Sequence, residues 1–161
     1  MKNWKSSLEV QSSHISANMK NPELYNKTVD ILVQAYLKDT LEHQDPCACA
    51  VGNIIASNNS TKEPFSWVEN RNPDGEGSWY TQIVVFESNK LSPGVALQVA
   101  NTGYSPKELR LIEHAFESAS REGDWMFNGL MDVVAVLDKI HENTNEVITR
   151  QTKRKFELAK K

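Results

Sequence analysis

Residues 124–142 read DWMFNGLMDVVAVLDKIHE, the most apolar helical stretch of the 161-residue chain. Met126, Leu130, Val133, Leu137 and Ile140 recur at alternating spacings of four and three, with Phe127 and Val134 beside them. That is the seam of a helix packed against other helices. Asn143, Thr144 and Asn145 end it, so the spacing predicts one central helix around which the remaining elements must assemble.

Working outward, Ser105-Pro106-Lys107-Glu108 is a capping box with proline at the first helical position. Leu109, Ile112, Ala115, Phe116 and Ala119 form the buried stripe of the helix that follows, and Arg110, Glu113, His114 and Glu117 are assigned to water. Gly103 before it fits a left-handed position. Asn21-Pro22 starts a helix expected to reach His43, with Leu24, Thr28, Ile31, Leu32, Ala35 and Asp39 along one stripe. Asp45-Pro46 repeats that start signal, and Cys47, Val51, Ile54 and Ile55 predict a second helix to about Ser57. From Asn58 to Gly103 the helical period fails. Residues 78–87, SWYTQIVVFE, and the alternating Val95, Leu97 and Val99 suggest a hairpin, although Ser92-Pro93 would equally cap a helix. The expected fold is a mainly α, single compact domain of about four to six helices with an irregular or hairpin-bearing middle. Residues 1–20 form a loose leader, 21–145 the helical domain, and 146–161 a basic C-terminal helix or tail.

Composition narrows the function classes. With 39% hydrophobic and 24% charged residues the chain reads as one ordinary globular domain. No apolar run approaches the ~20 residues of a membrane span, and the start lacks the apolar stretch of a secretory signal, so a cytoplasmic location is expected. Eighteen basic and twenty-one acidic residues give −3 overall, which disfavours nucleic acid. The charge is uneven. Residues 146–161 hold six basic and two acidic side chains, net +4, against twelve basic and nineteen acidic before them, net −7. Arg150, Lys153, Arg154 and Lys155 are the candidate contacts for an acidic partner or for nucleic acid.

His43, Asp45, Cys47 and Cys49 stand at alternate positions and are all metal-ligand types. If a helix opens at Pro46, the two thiols lie about 200° apart around its axis and do not face one ion. Placement at a helix N-terminus would lower a thiol pKa and make Cys47 or Cys49 reactive. Asn70, Asn72, Asp74 and Gly75 echo a calcium loop, but its twelfth position is Thr81 rather than glutamate; residues 120–131, with Glu122 and Asp124, are a weaker echo. Trp67, Trp79 and Tyr80 could form a partner platform or cover the core. No nucleophile elbow, phosphate loop or His-Glu-x-x-His is present, so neither catalytic residue nor cofactor is expected.

The strings YNKTVDILVQAYLKDTL (25–41), CACAVGNIIA (47–56), TGYSPKELRLIEHAFE (102–117) and MFNGLMDVVAVLDKIHE (126–142) together resemble a family of small proteins of bacterial and bacteriophage genomes with no assigned chemistry. The resemblance covers residues 25–142, poorly in the middle, and leaves out the leader and the tail. It implies a compact α-rich accessory protein of phage or mobile-element type. The expectation is therefore a non-enzymatic interaction protein with a protein partner. A second copy through the 124–142 seam is compatible with this, a metal- or thiol-dependent protein using His43, Asp45, Cys47 and Cys49 is the alternative, and nucleic-acid binding through the basic end is the second alternative.

Overall fold

The computed structural model describes residues 19–44, 48–59 and 93–160. Among these the fold is mainly α, with six helices: α1 Pro22–Leu37, α2 Ala50–Asn58, α3 Pro93–Ala100, α4 Pro106–Glu117, α5 Trp125–Ile140 and α6 Glu146–Ala159. None of them is long and apolar enough to cross a membrane. Five helices close a ring in which α4 packs on α5, α5 on α6, α6 on α1, α1 on α2 and α2 back on α4, while α3 leans on α2.

The seam of α5 fills the centre, as its spacing predicts: Leu130, Val133, Val134 and Leu137 are fully buried. Asp124 caps this helix by accepting the Phe127 N–H at 3.0 Å. Gly129 lies where α5 crosses α4, and an added Cβ would stand 2.8 Å from the Phe116 carbonyl oxygen, so only glycine permits this approach. On α4 the capping box forms in both directions between Ser105 and Glu108. Gly103 is left-handed at φ 82°. Asn145 caps α6 through the Val147 and Ile148 amides.

Several boundaries differ from the sequence reading. α1 stops at Leu37, six residues early, because Asp39 takes a left-handed φ of 57°. The Thr40 N–H then reaches back to the Ala35 carbonyl and the Asp39 N–H to that of Tyr36, a Schellman closure. α5 ends the same way, with Glu142 at φ 54° and the Asn143 N–H on the Asp138 carbonyl. The buried face of α1 is Tyr25, Thr28, Val29, Leu32 and Ala35, and Asp39, expected on its stripe, is exposed in the turn after the helix. Asn21 is left-handed and makes no side-chain cap. α2 opens at Ala50 instead of Pro46, with Cys49 as its cap; Asp45 and Cys47 lie outside the described residues. The second arm of the expected hairpin is instead helix α3, in line with the Ser92-Pro93 start signal. The first arm, at 78–87, lies outside the described residues.

The basic end is built into this ring. Phe156, at 0% exposure, and the buried Thr152 and Ala159 hold α6 against α5 and α1.

Candidate functional site

Of the four alternating metal-ligand types, the structure describes His43 and Cys49. His43 lies beyond the end of α1, in the turn that follows it. Its ring is stacked between Phe116, 4.2 Å between centroids, and Trp125, 3.7 Å, and its side chain is only 6% exposed. Nε2 lies 3.1 Å from the Trp125 carbonyl and Nδ1 3.3 Å from Glu117 Oε2, so both nitrogens face protein acceptors. A carbonyl only accepts, hence Nε2 carries a hydrogen. Cys49 is fully buried, and its sulfur accepts the Gly52 N–H at 3.2 Å. The expected activation of this thiol is reversed: burial, then the neighbouring Glu113 carboxyl, push its pKa well above the ordinary range, outweighing the helix N-terminus. Among the described residues no group of three His, Cys, Asp or Glu side chains is arranged to hold a metal ion.

Two α4 glutamates assigned to water are in fact turned inward. Glu113 is completely buried; Oε2 accepts the Val51 N–H in the first turn of α2 at 3.3 Å, and Oε1 has no hydrogen-bond partner. Burial raises its pKa to about 8, and the charge of Glu117 adds to the rise against the opposing hydrogen bonds of Cys49 and Val51. Glu117, one turn later, accepts the Gln44 N–H at 3.0 Å as well as facing His43.

A second polar network, absent from the sequence reading, ties the other ends of the helices. Tyr25 of α1 donates to Asp138 of α5 at 3.0 Å and contacts Thr152 of α6 at the same distance. Asp138 also accepts from Asn143 and Thr149. Beside it Tyr104 links Thr28, 2.7 Å, to His141 Nε2, 2.8 Å, and His141 Nδ1 lies 2.7 Å from the Lys20 carbonyl. Desolvation raises the pKa of both tyrosines and lowers that of His141, which is buried at the α5 C-cap. These groups knot α1, α5 and α6 and anchor residues 19–20, where Met19 is buried and the Lys20 N–H bonds the His141 carbonyl.

The surface offers two features. An open cleft of about 740 Å³ runs along α1 between its outer face and α2, walled by Lys27, Asp30, Gln34, Lys38 and Asn53 over Ile31. On α6, Val147, Gln151, Arg154 and Leu158 follow at i, i+4, i+7 and i+11 and are all exposed, Leu158 by 70%. They make one stripe opposite Phe156. Arg150 and Lys155 stand on its shoulders and Lys153 on the half-buried flank, so the four candidate basic residues do not share one face. Arg154 pairs with the exposed Glu157 at 3.5 Å.

The weaker calcium echo is a turn: Asp124 caps α5, and Asn128 donates to the Ser120 and Glu122 carbonyls. Asn70, Asn72, Asp74 and Gly75, like Trp67, Trp79 and Tyr80, lie outside the described residues. No protein-family model matches the chain, and no curated protein or solved structure matches it.

Proposed function

We propose that this chain is a non-enzymatic interaction protein that docks an acidic partner protein along the exposed face of α6. The observation that supports the reading is the stripe of Val147, Gln151, Arg154 and Leu158 with Arg150 and Lys155 beside it, carried on a helix whose other face is fixed to the core by Phe156. Val147 and Leu158 give the stripe an apolar contact at each end, with the polar Gln151 and Arg154 between them, and the flanking cations favour an acidic partner surface. The divergence of Lys153 and Lys155 favours a protein over nucleic acid, because a phosphate backbone needs its cations on one face. The described buried titratable groups are engaged in holding helices together, which supports a role without chemistry of its own. The resemblance of the four strings adds to this proposal an accessory role in phage or mobile-element biology.

The test is crosslinking in the source cells with quantitative mass spectrometry, using the full chain and the variant Arg154→Glu/Leu158→Asp. A protein enriched on the wild type and reduced at least tenfold on an equally folded variant supports the reading. Equal recovery on both refutes it. Co-purifying nucleic acid whose release follows salt concentration would replace it with the nucleic-acid alternative.

A further inference from the structure

Glu113 and Glu117 lie one helical turn apart on α4 and fasten two shoulders of a single stretch of chain. Glu113 accepts the Val51 amide at the start of α2, and Glu117 accepts the Gln44 amide in the turn after α1. The titratable and polar groups around the pair are Cys49 and the Val51 N–H from α2, and His43 and the Gln44 N–H from the turn. α5 contributes the Trp125 carbonyl, which fixes a hydrogen on His43 Nε2.

Counting hydrogens shows what the geometry demands. With Nε2 protonated, the contact between His43 Nδ1 and Glu117 needs one further proton, either on the imidazole or on the carboxyl. Glu113, fully buried, brings a second carboxyl beside Glu117, and its Oε1 receives no hydrogen from any neighbour. Even with the Val51 N–H and the Cys49 thiol as donors to Glu113, two carboxylates one turn apart are disfavoured where one of them is fully buried, and a proton on Glu113 relieves this. We propose that Glu113 and Glu117 form a one-proton latch: Glu113 holds a proton while residues 43–44 and the 48–51 start of α2 are fastened to α4 and gives it up when they open, so that opening becomes easier as pH rises.

The raised pKa of Glu113, about 8, sets the upper end of the pH range over which opening becomes easier, and the ordinary carboxyl value near 4.5 sets its lower end. Burial and the Glu117 charge set its direction, and Cys49, whose own thiol stays protonated, does not compete for the charge. On α5 the latch meets Trp125 and Gly129, where an added Cβ would stand 3.2 Å from His43 Cε1, and the expected release is local in the sense of sub-global opening.

The experiment is hydrogen exchange of the full chain from pH 6 to 9.5, corrected for intrinsic base catalysis, and read on peptides carrying the Gln44, Val51 and Gly52 amides. In the wild type the local opening constant should rise by up to about tenfold per pH unit below a midpoint near 8, the signature of one proton given up on opening, and level off above it, while α6 peptides keep their protection. Glu113→Gln, which keeps an acceptor for Val51 and cannot ionise, should abolish the rise. Glu117→Gln, which removes the like charge, should lower the midpoint. A flat wild-type profile overturns the latch, as does an unchanged rise in Glu113→Gln. Should Glu113→Gln fold poorly, an unmoved midpoint in Glu117→Gln overturns it alone.

Discussion

Replacing Phe156 by alanine, beside the control Leu158→Ala two residues away, asks whether α6 is an arm or a wall of the domain. Phe156 has no exposed surface and Leu158 has 70% of its surface exposed, on one helix and on opposite faces. A buried phenylalanine removes roughly 150–250 Å² from water, worth about 4–6 kcal/mol at ~25 cal/mol/Å², and the unfolded chain hides part of that already. The expected loss is therefore about 3–5 kcal/mol, including the cavity left between α6, α5 and α1. Against a total of ~5–15 kcal/mol this is a large share, and it corresponds to a fall of about 10 °C in Tm. Leu158→Ala should change stability by less than about 0.5 kcal/mol. Urea unfolding followed by circular dichroism measures both. If Phe156→Ala costs less than about 1 kcal/mol, α6 is not part of the cooperative unit, and the stripe on its outer face loses the rigid backing on which the docking proposal depends.

Gly129→Ala should destabilise by about 1–3 kcal/mol in the same assay although alanine is the better helix former, since the new methyl meets the Phe116 carbonyl. Tyr25→Phe should cost about 1–2 kcal/mol by stranding the buried Thr152 hydroxyl, and a double-mutant cycle with Thr152→Val should show coupling. Two of the buried titratable side chains, His141 and Glu113, pull stability in opposite directions. His141 has a lowered folded pKa, so its contribution is complete above the unfolded value near 6.5 and is lost as pH falls below it. Glu113 has a raised one, so its neutral form favours folding below about 4.5, and stability declines by up to about 1.4 kcal/mol per pH unit until about 8. Urea midpoints between pH 6.5 and 8 should therefore fall in the wild type and stay level in Glu113→Gln.

Where local chemistry is self-sufficient, the sequence could be read to the residue. Ser105-Pro106-Lys107-Glu108 closes its own cap, and the centre of the α5 seam is buried in the core, so α4 and α5 stand where their spacing places them. The end of α1 was illegible for a physical reason. A Schellman closure is usually announced by glycine, and here the left-handed position is filled by Asp39, which carries no such signal; Glu142 repeats the case at the end of α5. The opening of α2 misled in the same way, because a cysteine is a rare cap and a proline a common start.

The inward glutamates show a different failure. Glu113 follows Leu109 by four residues and precedes Phe116 by three, so its angle on the helix is that of the buried stripe, and only its charge argued for water. Angle won because the neighbouring α2 presents backbone N–H groups at that point, which a hydrocarbon side chain would leave unpaired, whereas a carboxyl accepts the Val51 amide. The same logic reads His43 and His141. Each ring lies where a loop or helix end brings a carbonyl into the interior, Trp125 for one and Lys20 for the other, and a ring nitrogen of the imidazole faces that carbonyl. A charged or polar residue at core angle on a helix is thus a signal to look for a buried backbone group opposite it, which for Glu113 is the Val51 amide at the start of α2.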